Sequence, residues 1–410
     1  MSTEDGRAED ASPDDAAPTT ECRVCQVDVP DGEFCGLCGV HLQERPGDGP
    51  EWLRWRNYGA KSDETLFTPS VASSVFPHLP PRSLTAFRVG LVAVPAALIL
   101  FAVLRMPACL ITAAALGLPL LFVLYLREAD ADADLPVASL ILTAVVGIAI
   151  GVGWVLMTGH VAARTYNVPL GGGIALSRAA REGIGIPVGG AILMIVPAVV
   201  IRVMRPASRE ALDGFMIGAL GALAFTAAAT LTRLAPQLTT GLVNRNRPMS
   251  GLLVEAGIRG VAVPLTALCV GGLIGAALWF TRPPTKQHQH PGVVRFMLAL
   301  FGVGVLVVYA ALGMVDVQTM PQWIQLACHL LIAAVAVMLL RVGIHLSLMH
   351  EAHDEVMSDQ PVLCHNCGQV VPDMPFCPAC GVAMNAASRS SRQSRRDSRP
   401  VRSEGGGSAS

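Results

Sequence analysis

The chain has 410 residues, of which 52% are hydrophobic and 15% charged, and its formal net charge is −1. An ordinary soluble protein averages about 25% charged residues, so this composition excludes a soluble fold for most of the chain. The charges concentrate in residues 1–64, in short gaps between apolar runs, and near the C-terminus. That distribution is typical of a membrane domain with polar ends, whereas a net charge near zero indicates nothing about partners.

Residues 1–21 form an acidic segment. They carry seven acidic side chains against the single Arg7, and they contain almost no large apolar residues. Such a segment cannot bury a core, so we predict a disordered acidic tail. It does not resemble a signal peptide, because it is acidic and lacks an apolar centre.

Residues 22–41 carry a metal-binding pattern, Cys-x2-Cys-x9-Cys-x2-Cys-Gly, whose four candidate ligands are Cys22, Cys25, Cys35 and Cys38. A Cys-x2-Cys turn presents two sulfurs to one ion, and the following Gly39 tolerates a left-handed backbone. Four thiolates leave no open coordination position. The spacing therefore predicts a zinc ribbon with one structural ion.

Residues 42–83 form a linker, rich in Pro and Ser over much of its length, that joins this ribbon to the first apolar run. Trp52, Trp55 and Tyr58 fit a lipid interface, where amphipathic rings are favoured. They fit a small packed linker helix equally well, and the sequence leaves both interpretations open.

Residues 84–346 form the predicted membrane domain. Its apolar runs lie at about 86–104, 107–126, 135–157, 184–204, 214–234, 258–280, 293–315 and 324–345. Each has roughly the 20 residues needed to cross a hydrocarbon core of about 30 Å. Abundant Gly and Ala favour close helix packing. We therefore predict an all-α polytopic membrane bundle of about eight transmembrane helices, with both termini on one side. Between the fourth run and its predecessor, residues 175–181 suggest a short surface helix.

Polar groups inside these runs are few. Arg202, Arg233 and Arg259 lie near span ends, where they are expected to snorkel. His329 lies alone in the last span, which indicates a helix–helix hydrogen bond more than a ligand. His350 and His353 follow that span and are interpreted as a solvated helix end. No span shows a charged pathway, which disfavours a transporter or channel.

Three segments within 184–280 occur in the same order, and with similar neighbouring residues, as three motifs of a known family. They are Pro187-Val188-Gly189-Gly190, Asp213-Gly214-Phe215-Met216-Ile217-Gly218 and Arg259-Gly260-Val261-Ala262-Val263-Pro264. In this respect the chain resembles the PrsW family of intramembrane proteases. The resemblance covers about a quarter of the chain, and it implies a protease-like core at about 184–280.

The family's ionisable positions are missing from this chain. Its two glutamates, lysine, later glutamate and histidine correspond here to Gly189, Gly190, Leu193, Ala229 and Ala267. Activating water inside a membrane needs a carboxylate or a metal ligand, and none remains at these positions. We therefore expect no catalytic residues and a protease-like fold without its chemistry.

Residues 347–363 form a predicted juxtamembrane helix or linker, after which the cysteine pattern recurs at 364–384. The four ligands here are Cys364, Cys367, Cys377 and Cys380, each 342 residues after its counterpart, since Cys22 corresponds to Cys364. Residues near the cysteines repeat as well, since Val29-Pro30-Asp31 corresponds to Val371-Pro372-Asp373. Disulfides are disfavoured because no secretory signal is seen, so we predict a second structural zinc ion. Nothing in the sequence requires the two ribbons to dock together.

The remaining three cysteines, Cys109, Cys269 and Cys328, lie in apolar runs and are interpreted as packing residues. Thiolate sites survive best in the reducing cytosol, so both termini are predicted to be cytoplasmic in a multi-pass protein of the cell membrane. Residues 385–410 form a predicted disordered basic Arg/Ser tail. This tail could attract anionic lipid or RNA, whereas the acidic surroundings of the first ribbon argue against nucleic acid there.

The leading functional hypothesis is a non-catalytic zinc-ribbon membrane protein, a recruitment or regulatory scaffold for an unknown protein partner at the cytoplasmic face. Membrane lipid is its other expected partner. In this hypothesis Asp213 has a structural function at a helix joint, near Arg202, Arg205 and Arg209. One alternative is an active PrsW-type protease with a rearranged site. Another is a transporter or channel.

Overall fold

A computed structural model describes much of the chain. The described residues are 18–43, 60–61, 64–66, 70–79, 81–129, 134–165, 181–204, 210–238, 248–280, 291–317, 320–351, 361–364, 366–384, 392–393 and 396–397. Most of the two predicted tails lies outside these ranges. So do the linker aromatics Trp52, Trp55 and Tyr58, most of the predicted surface helix at 175–181, and His353.

Nine helices are found among the described residues. They are α1 (Val71–Val75), α2 (Pro81–Val103), α3 (Pro107–Glu128), α4 (Val137–Thr165), α5 (Arg181–Val203), α6 (Ala211–Leu238), α7 (Met249–Trp279), α8 (Pro291–Val317) and α9 (Gln322–His350). Helices α2 to α9 are long and apolar enough to cross a membrane, which confirms the predicted eight-helix bundle and indicates a multi-pass membrane protein. Single π-helical turns open α5 and interrupt α7.

Helix α7 begins well before the predicted start at residue 258. Glu255 and Arg259 break the apolar run in the sequence, but they lie one helical turn apart and form an ion pair of 3.5 Å. Because paired charges four residues apart support a helix, the helix extends back to Met249.

Helices α6 and α7 form the centre of the bundle. Within their most apolar windows, 83% of α6 and 78% of α7 is buried, against 17% for α2 and α4. The peripheral helices expose large apolar side chains, among them Val92, Leu120 and Val307. An apolar outer surface of this extent is what a lipid-facing bundle presents.

The two central helices touch through their backbones. Gly214 and Gly218 on α6 lie against Gly275 and Gly271 on α7, and a Cβ atom on any of the four would collide with a carbonyl oxygen of the facing helix. Small residues spaced by four allow this close approach in membranes. The Gly214–Gly218 pattern is therefore explained by packing.

We expect Gly218→Ala to lower the thermal unfolding temperature of the purified protein, because overpacking a tight contact costs about 1–3 kcal/mol. Gly304→Ala on α8 is the matched control, since no atom lies within 4 Å of a Cβ placed there. Equal melting temperatures for the two variants in detergent would contradict the backbone contact.

Each ribbon contains one antiparallel hairpin outside the helical bundle. In the first, β1 (Thr19–Glu21) pairs with β2 (Asp28–Pro30); in the second, β3 (Pro361–Leu363) pairs with β4 (Val370–Pro372). The registers correspond, because Thr20 faces Val29 and Val362 faces Val371. The repeat seen in the sequence is therefore a repeat of structure.

The described segments before α2 and after α9 lie at the same end of the bundle. An even number of crossings requires this, and contacts support it: the backbone N–H of Ala211, at the start of α6, donates to Glu351 after α9, at 2.6 Å. We call this end the ribbon side and the opposite end the far side.

Candidate metal centres and a polar membrane cavity

The four cysteines of the first ribbon form a compact tetrahedral set. Their sulfurs all lie within 4.8 Å of one another. The Sγ atoms of Cys22 and Cys38 are 3.7 Å apart, and those of Cys25 and Cys35 are 3.6 Å apart. A tetrahedron with metal–sulfur bonds of about 2.3 Å has edges of about 3.8 Å, so the spacing matches one ion held by four thiolates.

The second ribbon repeats this geometry. The Sγ atoms of Cys364 and Cys380 are 3.8 Å apart, and those of Cys367 and Cys377 are 3.9 Å apart. The predicted site residues are thus brought together in two groups of four. Of the other cysteines, Cys269 is fully buried in α7, as expected of a packing residue.

Left-handed backbone shapes the turns that carry the sulfurs. Gly39 and Gly381, which follow the second Cys-x2-Cys of each ribbon, have φ angles of 71° and 70°. At the first Cys-x2-Cys, Gly368 has φ of 71°, while the equivalent Gln26 has φ of 53°. Glycine adopts this conformation without steric cost, whereas Gln26 adopts it at some steric cost in the turn that follows Cys25.

Hydrogen bonds among the sulfurs favour thiolates at particular positions. The pKa of Cys35 is lowered to about 5 because it accepts a hydrogen bond from the Cys38 thiol. The pKa of Cys380 is lowered to about 2 by hydrogen bonds that it accepts from the thiols of Cys364 and Cys377. Burial raises the pKa of Cys25 to about 11, so a metal must displace that proton on binding.

The donor set indicates what the centres can do. Tetrahedral sulfur-only sites suit zinc or iron–sulfur chemistry among biological metals. Each set supplies four ligands and leaves no open position, so a bound ion would be structural and not catalytic. Such an ion contributes directly to the folding free energy of a module this small.

The two ribbons dock against each other, which the sequence had left open. The backbone N–H of Phe34 donates to the carbonyl of Pro378 at 2.9 Å, and the N–H of Phe376 donates to the carbonyl of Gly36 at 2.9 Å. Phe34 and Phe376 are equivalent positions of the repeat, as are Gly36 and Pro378. The interface is therefore reciprocal, like that of a two-fold symmetric dimer, and we call the pair the double ribbon.

Arginines of the C-terminal tail bind back onto the protein. Arg392 donates to Glu210, beside the start of α6, at 3.1 Å. The Nε of Arg396 lies 3.4 Å from Asp373 in the second ribbon. These two described residues of the predicted basic tail thus tie the second ribbon to the ribbon side of the bundle.

A fully buried arginine, which the sequence analysis missed, fixes the N-terminal linker to α9. The side chain of Arg341 has no exposed surface and donates to the carbonyls of Leu66 at 2.8 Å and Thr65 at 2.7 Å. It also forms an ion pair of 3.2 Å with Glu64. Burial opposes ionisation of Glu64, but a hydrogen bond from Ser73 and the charge of Arg341 outweigh it and lower the pKa of that carboxyl.

Polar side chains also meet inside the bundle, around a cavity of about 200 Å³ near the far side. The polar residues that line it are Thr226, Thr230, Arg233, Arg259, Tyr309, Asp316 and His329. Taken one span at a time, the sequence did not indicate this cluster, because its members come from different helices. Arg233, Asp316 and His329 each look like an isolated span-end residue in the sequence, and only helix packing brings them together.

His329, interpreted from the sequence as a residue that bonds between helices, contacts both its own helix and α8. Its Nδ1 lies 2.9 Å from the carbonyl of Gln325 on its own helix, and its Nε2 lies 3.8 Å from Asp316 on α8. Arg202, which was expected to snorkel, contacts the end of α7. Its Nε donates to the carbonyl of Leu278 at 2.9 Å, and its guanidinium lies 5.4 Å from the ring centroid of Trp279.

The positions that correspond to the protease family's ionisable residues are partly gathered at this cavity. Gly190 and Ala229 line it. Leu193 packs against the core, and Ala267 is fully buried. A Cβ atom on Gly189 would collide with the indole of Trp154, so that indole fills the space a longer side chain would need.

Asp213 is buried in the first turn of α6. An acidic side chain there complements the positive end of the helix dipole, which fits the structural function expected of it. Its predicted neighbours Arg205 and Arg209 lie outside the described residues.

No family model matches this chain, and no match was found among curated proteins or solved structures. The functional assignment therefore depends on the cysteine sets, the double ribbon and the cavity.

Proposed function

We propose that this chain is a zinc-binding protein of the cell membrane whose double ribbon recruits a protein partner at the cytoplasmic face. The observation that carries the proposal is the docking of two four-cysteine ribbons into one unit beside an eight-helix bundle. Zinc fits because a closed sulfur tetrahedron suits an ion without redox chemistry or geometric preference of its own.

The cytoplasmic placement follows from thiol chemistry. Eight thiolates have to stay reduced to hold two ions, and the cytosol keeps thiols reduced. Both ribbons lie on one side of the bundle, so one compartment serves both. Reporter fusions at the two termini test this placement, and an external signal from either end would contradict it.

The double ribbon also presents apolar side chains that its own fold leaves uncovered. Val24 and Val27 are 47% exposed in the first ribbon, and Val370 is 57% exposed in the second. These residues lie outside the membrane-spanning helices, so lipid tails do not explain their exposure. An apolar protein surface is the partner that such side chains fit.

Photo-crosslinking in intact cells tests recruitment. A photoreactive amino acid at Val370 should give a protein adduct of defined mass, because this position faces the proposed partner. Val145, which is 54% exposed on the membrane-spanning α4, is the matched control. Protein adducts equal at both positions, or at neither, would contradict recruitment by the double ribbon.

The membrane domain is proposed to be a protease-like fold without catalysis. Supporting this, Gly190 and Ala229 line one cavity, as equivalents of family site residues would, yet neither can move a proton. The Trp154 indole also occupies the space beside Gly189 and Gly190. We expect no cleavage of membrane substrates by the reconstituted protein.

One observation favours the alternative of an active protease with a rearranged site, namely the Asp316–His329 contact in that cavity. Mass spectrometry of candidate membrane substrates after incubation with wild-type protein and with His329→Gln separates the two functions. Cleavage by the wild type that the variant loses would establish the protease and refute the non-catalytic proposal.

A further inference from the structure

The far-side cavity contains more hydrogen-bond donors than acceptors. Arg233 of α6 makes no hydrogen bond or ion pair with any other described residue. Arg259 of α7 contacts Glu255 through its Nε, at 3.5 Å, which leaves its terminal nitrogens without an acceptor among the described residues. Tyr309 and Thr230 add hydroxyl groups. Two guanidinium groups on one cavity wall create a site that favours a bound anion.

The acidic side chain that lines the cavity does not neutralise both arginines. Asp316 is 51% exposed, and the Nε2 of His329 lies 3.8 Å from one of its oxygens. The charged or titratable groups that line the cavity are Arg233, Arg259, Asp316 and His329, with Tyr309 beside them, and Glu255 pairs with Arg259. The two arginines and the two carboxylates balance in charge, so what the cavity offers a ligand is guanidinium N–H groups that have no acceptor among the described residues.

Another part of the cavity wall is apolar. It is formed by Trp154, Ile186, Met194, Phe225 and Leu312. A free inorganic anion makes no favourable contact with an apolar wall. An amphiphile can place its charged group beside the arginines and its carbon chain against the apolar wall. A volume of about 200 Å³ equals about seven waters at about 30 Å³ each, which admits a head group and a few carbons but not a whole lipid.

We infer that this cavity binds the phosphate group of an amphiphile, which Arg233 and Arg259 hold between α6 and α7 while the adjoining carbons lie against Trp154 and Phe225. Arginine matches phosphate because its planar fork donates two parallel hydrogen bonds. The acyl chain would extend from the cavity into the lipid on the far side. Neither arginine belongs to the double ribbon, so this inference is independent of partner recruitment.

Native mass spectrometry of the full-length protein in a neutral detergent tests the site with three probes. They are dioleoyl phosphatidic acid, dioleoyl glycerol, which lacks the phosphate, and inorganic phosphate. We expect one bound phosphatidic acid per chain, and at least tenfold weaker binding of dioleoyl glycerol. Arg233→Gln and Arg259→Gln should each weaken phosphatidic acid binding about tenfold or more, as for loss of a charge-assisted bond.

Arg295→Gln is the charge-matched control, because Arg295 is exposed at the ribbon-side end of α8, away from the cavity. Ala229→Leu is a second test, since it narrows the cavity without altering charge. Binding that all three cavity variants leave unchanged would overturn the inference, as would equal binding of both dioleoyl lipids. Arginine-dependent binding of inorganic phosphate alone would keep the phosphate site and refute the lipid as its source.

Discussion

Replacing Cys35 by serine should remove the metal ion from the first ribbon and also loosen the second. A structural zinc site contributes an apparent binding free energy of about 10–16 kcal/mol in small zinc-dependent modules. The first ribbon has little else to hold it, because its buried apolar cluster contains only Val29 and Val40 besides cysteines. Losing one of four thiolates should therefore unfold the module.

The effect should reach the second ribbon through the docking bonds. Phe34, which precedes Cys35, donates to Pro378, and Phe376 donates to Gly36 next to the same cysteine. In Cys35→Ser we expect the remaining ion to leave faster in a competition assay with a chelator. Cys109→Ser in α3 is the control, because Cys109 belongs to neither set. A variant that keeps both ions, or a second ion that leaves at the wild-type rate, would contradict this coupling.

Replacing Arg341 by leucine should release the N-terminal linker from α9. The variant removes the arginine donor to the carbonyls of Thr65 and Leu66 and the cation that pairs with the mostly buried Glu64 carboxylate. That carboxylate keeps its hydrogen bonds from Ser73 and Lys61. Removing one partner of a buried ion pair costs about 3–5 kcal/mol. We expect a lower unfolding temperature and faster hydrogen exchange over residues 64–79, measured by mass spectrometry.

Adding Glu64→Leu to Arg341→Leu should recover part of this loss, since no carboxylate is then buried without the arginine. Lys61, which also pairs with Glu64, is partly exposed to solvent. Arg295→Leu is the control for removal of an exposed arginine. The pKa of Glu64 is lowered in the folded protein, so its contribution is present at neutral pH and is lost on acidification below its usual pKa. Unchanged exchange over 64–79 in Arg341→Leu would show that the linker is held by other contacts.

The sequence predicted those features whose signal is local or repeated. The cysteine sets were found because two pairs of cysteines, each pair three residues apart, are typical of a metal site. The second copy of the pattern has the same spacing. The eight spans were found because crossing a membrane needs about 20 apolar residues in a row. The ends of the spans were predicted less accurately. Helix α7, for example, begins before the predicted start because Glu255 and Arg259 form an ion pair on the helix.

The missed features depend on residues that are distant in the sequence. Arg341 is a single charge in a long apolar run, and its acceptors lie more than 260 residues earlier. The cavity takes Arg233, Asp316 and His329 from three helices, and no spacing rule connects them. Docking of the ribbons depends on the backbone N–H groups of Phe34 and Phe376. Because nearly every residue has a backbone N–H, no residue type in the sequence indicates this docking.

Metal analysis of the full-length protein purified without chelators tests whether each of the two ribbons holds one zinc ion. Inductively coupled plasma mass spectrometry, with the protein quantified by amino-acid analysis, should give two zinc ions per chain. Intact-mass measurement should show all eleven cysteines reduced. Zinc well below two per chain, together with the mass loss of disulfides in the two ribbons, would contradict the account.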